Sequence, residues 1–98
     1  MTKEEALDQF RLVFRNYSSV DDTKKDFYCG ITGDLASRNK EHGITNVLYY
    51  VEADSFETAK SLEAMLYYDG FDTGKQLGNG NEDSKLVYIY KKGLHTNP

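Results

Sequence analysis

Phe27-Tyr28-Cys29-Gly30-Ile31-Thr32-Gly33-Asp34-Leu35-Ala36-Ser37-Arg38-Asn39-Lys40-Glu41-His42-Gly43 changes character halfway along. Its first six residues are aromatic, β-branched or small, the composition of a strand. Gly33-Asp34 then supplies turn chemistry and a helix cap. From 34 to 42, Leu35, Arg38, Asn39 and His42 share a helical face, and Gly43 is a natural left-handed stop. A strand feeding a helix of about two and a half turns sets a mixed frame for the rest of the chain.

Upstream, Ala6, Phe10, Val13, Phe14 and Tyr17 recur at helical spacing, which predicts a helix over 2–17 with Tyr17 on its buried stripe. Thr2 followed by Glu5 has capping-box spacing. The polar stretch 18–25 reads as a loop. Downstream, Val47-Leu48-Tyr49-Tyr50-Val51 is apolar at every position, as expected of a central strand covered on both faces. Asp54-Ser55-Phe56-Glu57 predicts a second capping box with Asp54 as the cap, opening a helix that ends near Asp69-Gly70 and buries Ala59, Leu62 and Leu66. After the turn formers Gly78-Asn79-Gly80-Asn81 comes a last strand, Leu86-Val87-Tyr88-Ile89-Tyr90, and residues 93–98 read as frayed. The fold expected is α+β: a small three-stranded sheet, mixed or antiparallel, packed with about three helices in one domain over 1–98.

Composition narrows the partners. Twelve Lys and Arg against sixteen Asp and Glu give a net charge of −4, which disfavours a nucleic-acid partner held by counterion release. The acid excess is local: residues 52–72 carry six acids and one Lys, while 73–98 carry four Lys and two acids. No apolar run approaches the roughly 20 residues of a membrane span. Glu4 and Glu5 stand where a secretory signal would be basic and then apolar, so a cytoplasmic location is expected. Cys29 is the single cysteine and reads as a small buried side chain.

The run 28–42 resembles the second half of the GIY-YIG nuclease signature. There, a strand ending in Tyr-Ile-Gly is followed by a Thr, a turn, and a short helix carrying an Arg and then a His one turn later. Here the triplet is Tyr28-Cys29-Gly30, followed by Thr32, Arg38 and His42. The resemblance implies a divalent-metal-dependent endonuclease that hydrolyses phosphodiester bonds. In that reading Glu63, on the helix after the second strand, binds Mg²⁺ or Mn²⁺, and Arg38 neutralises phosphate charge. Tyr28 and His42 are the candidates for activating water, while Gly30, Thr32 and either Asn79 or Asn81 contact substrate. Counting back to the family's first triplet, Gly-Ile-Tyr, reaches Arg15-Asn16-Tyr17, where only the Tyr matches and the local pattern is helical. One tyrosine and one hairpin strand are therefore missing from the expected place.

Each residue also has a plainer reading. Arg38 suits a solvated helix face, paired with Asp34 or Glu41, and His42 suits a helix end. The tyrosines at 49, 50, 67, 68, 88 and 90 come in near-adjacent pairs whose members are expected to face differently, so some must be partly exposed, which suits a protein interface. The alternative function is accordingly a non-catalytic protein-binding module that kept the scaffold.

Overall fold

The computed structural model describes residues 2–33, 47–73 and 83–92. The predicted helix over 34–42 with Arg38 and His42, the 78–81 turn with Asn79 and Asn81, and residues 93–98 lie outside the described residues.

Helix α1 spans Lys3–Tyr17. Its capping box forms as read: the Glu5 N–H donates to Thr2 Oγ1 and the Thr2 N–H donates to Glu5 Oε1, each at 3.0 Å. Ala6, Leu7 and Phe10 are buried, and Val13 and Phe14 pack against the core from its margin. A 3-10 turn, Lys24–Asp26, leads into strand β1, Phe27–Thr32. Strand β2 is Tyr49–Glu52, helix α2 is Phe56–Asp69, and strand β3 is Leu86–Lys91.

The three strands form an antiparallel sheet in the order β1-β3-β2. Helix α2 packs on β1 and β3, and α1 packs on α2 and β2. Both helices cover the same face, because Phe27, Cys29 and Ile31 of β1 join Val87 and Ile89 of β3 in one core with Phe10, Leu62 and Leu66. Strand alternation then sends Tyr28, Gly30, Tyr88 and Tyr90 to the other face.

Three expectations need correction. The central strand is β3, where Val87 through Tyr90 are at most 1% exposed. The 47–51 run supplies an edge strand whose burial alternates. Tyrosine is the reason: counted as apolar it mimics a doubly buried strand, yet Tyr50 is 52% exposed. Tyr17 is likewise exposed, since it is the last residue of α1 and lies beyond the helix's packed segment. The cap of α2 is Ser55, whose Oγ accepts from the Thr58 N–H at 3.1 Å, one residue later than the Asp54 expected. Gly70 closes α2 in the left-handed region at φ 115°, where a side chain would be strained.

One ion-pair cluster ties the helical layer together. Asp69 ends α2, where a carboxylate opposes the helix dipole and the last turn holds no basic residue. Arg11 of α1 and Lys24 of the 3-10 turn supply the missing cations at 2.6 and 2.8 Å. The hydrogen bond from Arg11 is the main cause of an Asp69 pKa below the usual carboxylate value, with Lys24 assisting against burial. A lowered acid stabilises the fold above its unfolded pKa, near 3.9, and that contribution fades as pH falls through the folded value. Asp69→Asn should therefore cost about 1 kcal/mol near neutral pH, the scale of a partly exposed pair. In urea titrations repeated at several pH values, the gap to the parent should close below about pH 4.

Candidate functional site

The face of the sheet turned away from α1 and α2 carries the triplet identified in the sequence. Tyr28 is half-buried on β1. Across the antiparallel register it stands opposite Tyr90, and Gly30 stands opposite Tyr88. The Tyr28 ring lies 5.4 Å from that of Tyr90 and 6.4 Å from that of Tyr88. The rings of Tyr88 and Tyr90 are stacked at 6.3 Å with an interplanar angle of 6°. The three phenols therefore form one cluster, of which Tyr88 and Tyr28 lie against Gly30.

Gly30 is what admits them. A Cβ at this position would stand 2.6 Å from Tyr88 Oη and 2.8 Å from its Cζ, with Tyr28 Cε1 at 3.1 Å. Sequence reading assigned Gly30 to close approach of a substrate. The space over its α-carbon is instead filled by the Tyr88 phenol. Thr32, also expected at the substrate, is 9% exposed at the end of β1.

Charge reaches this face from the segment after α2. Residues 71–73 run beside the outer edge of β1, where the Cys29 N–H donates to the Asp72 carbonyl at 2.8 Å and the Asp72 N–H donates to the Phe27 carbonyl at 3.1 Å. Asp72 is thus bridged to Tyr28 in a parallel pairing. Its Oδ2 accepts from Lys92 Nζ at 2.7 Å. Burial pushes the Tyr90 phenol pKa up, and the charges of Tyr28 and Asp72 push it the same way. Tyr90 consequently keeps its proton at neutral pH.

Glu63 approaches β1 from the helical side. It is only 5% exposed, beside Leu62 on the stripe of α2. Thr58 and Asp69 mark the flank of α2 turned to α1, through a cleft shared with Thr2, Lys3 and Ala6 and through the Arg11 ion pair. At 3.6 residues per turn, Glu63 lies roughly 120–140° round the helix from those two residues. Because α1 covers β2 and α2 covers β1, this flank faces the outer edge of β1. Its charge is felt at Cys29, whose thiol pKa is raised well above normal, first by burial and then by Glu63 and Asp72. Thr73 is on the same side of that edge, since Phe71 two residues earlier belongs to the helical core. The Thr73 hydroxyl is buried without a hydrogen-bond partner among the described residues.

Tyr28 and Glu63 thus flank one edge strand from its two faces. Arg38, His42 and Asn79, which sequence reading joined to them, lie outside the described residues. Sequence reading missed Tyr88, Tyr90, Asp72 and Lys92 as neighbours of Tyr28. Tyr88 and Tyr90, expected to face differently, are alternate residues of β3 and share one face, which the register brings to Tyr28.

Comparison of the chain with protein-family models, with curated proteins and with solved structures found no match.

Proposed function

We propose that this chain is a divergent GIY-YIG-like domain that hydrolyses phosphodiester bonds with a divalent cation, using a site gathered around the outer edge of β1. The supporting observation is the pairing of Tyr28 with Tyr90. The resemblance calls for an antiparallel partner of β1 that contributes a second tyrosine, and expects it upstream, where α1 lies instead. Here the partner strand comes from the other end of the chain, reading Tyr88-Ile89-Tyr90, with Tyr90 directly opposite Tyr28.

The donor chemistry of the site suits a hard cation. Among the described residues no three His, Cys, Asp or Glu side chains come together, and the carboxylate these residues would offer a cation is that of Glu63. Magnesium commonly accepts such a site, keeping several waters and taking the remaining oxygens from substrate phosphate. The Thr73 hydroxyl, buried without a hydrogen-bond partner among the described residues, would add an oxygen suited to such a hydrated ion. Glu63 would hold the cation, which supplies positive charge to the phosphate. Arg38 would neutralise a further phosphate oxygen. Tyr90 stays protonated, so it is a hydrogen-bond donor. The work of a base then falls to Tyr28 or His42.

The test is cleavage of supercoiled plasmid and short duplexes in Mg²⁺ or Mn²⁺, with a chelator as control. Nicking that the chelator stops supports the proposal, and no nicking with either metal on any substrate refutes it.

A second reading, a protein-binding module on the same scaffold, is favoured by the last turns of α2. There Tyr68 is 83% exposed and Tyr67 is 42% exposed, the residue type enriched at protein interfaces. That reading expects negligible DNA affinity at physiological salt.

A further inference from the structure

We infer that Tyr88 is a positioning residue for Tyr28, acting across Gly30; the inference rests on the reading of Tyr28 as a site residue. Tyr88 is fully buried on the central strand. It faces away from the helical core that holds its neighbours Val87 and Ile89. Its ring lies over Gly30, the cross-strand residue with no side chain to obstruct it. The point where a Gly30 Cβ would stand is 2.6 Å from the Tyr88 oxygen and 3.1 Å from Tyr28 Cε1, so the end of one phenol and the edge of the other ring both border the space that the glycine leaves.

The Tyr88 ring is also stacked on Tyr90, directly opposite Tyr28 in the register. Tyr28 is held on one side by Tyr90 and at its edge by Tyr88, while Asp72 and Lys92 form the charged border of the same row. The two buried rings beside it restrict the rotamers open to the half-buried third ring. A side chain that meets a reacting group must be held this closely, because small displacements cost much of the rate.

The experiment uses the full chain with ¹³C-labelled tyrosine, in which the Tyr28 ring signal is identified among the eight tyrosines by its loss in Tyr28→Phe. Tyr88→Phe removes one hydroxyl and keeps the ring. It should move the Tyr28 signal and the pH at which Tyr28 titrates, with thermal unfolding within about 4–8 °C of the parent. Gly30→Ala, which pushes the Tyr88 phenol aside, should move the same signal. If the parent cuts DNA, both variants should lower its rate about tenfold at unchanged KM. An unmoved Tyr28 signal and titration in both variants would overturn the inference, and if Gly30→Ala does not fold, Tyr88→Phe decides alone. Lack of cleavage by the parent refutes the hydrolytic reading instead, and the tyrosine signals still decide the positioning role.

Discussion

Glu63→Gln is expected to leave a folded domain and to lower metal-dependent cleavage by about a hundredfold or more, the scale of several kcal/mol of charge stabilisation lost with a bound cation. The amide has the size of the acid and can still hydrogen-bond, so the packing of α2 on β1 should survive. What disappears is a negative charge in a position 5% exposed. Circular dichroism and thermal unfolding of the variant establish that the fold is intact, and plasmid nicking in Mn²⁺ reads the effect. Equal cleavage by parent and variant would remove Glu63 from the site.

Phe10→Ala should destabilise the fold by about 3–5 kcal/mol. Phe10 is fully buried and sits edge-on to Tyr49 with ring centroids 5.4 Å apart, so it joins α1 to the β2 edge of the sheet. Truncation loses both the transfer free energy of the ring and the contacts around the cavity it leaves. A domain of this size holds only about 5–15 kcal/mol in total, and each kcal/mol shifts its melting temperature by about 4–8 °C. A drop of at least about 12 °C is therefore expected, and a drop of only a few degrees would mean that α1 contributes little to the core.

The helical layer was legible because its signals are local. The Thr2 and Glu5 capping box forms as read, and the buried stripe of Ala59, Leu62 and Leu66 appears where the spacing placed it. The shift of the second cap from Asp54 to Ser55 is the kind of error expected where two cap-forming residues are adjacent. The sheet order was not legible. Five apolar residues at 47–51 outscored the last strand as a centre, although β3 is the strand that lies between the other two, because strand position depends on contacts distant in sequence. The candidate site divides in the same way. Tyr28, Gly30 and Glu63 were singled out by the resemblance, and the place of Glu63 beside the apolar stripe was visible in its spacing. That Tyr90 faces Tyr28, and that Tyr88 fills the space over Gly30, are facts of register that composition and periodicity do not carry.

Tyr28 and Glu63 are claimed to serve one site from the two faces of β1, and paramagnetic broadening tests this without requiring turnover. Manganese is titrated into the full chain labelled at tyrosine, and the Tyr28 ring signal is followed in the parent and in Glu63→Gln. Mn²⁺ should broaden the Tyr28 signal in the parent and spare it in the variant. A Tyr28 signal left sharp in the parent, or broadened equally in both proteins, would contradict a shared site.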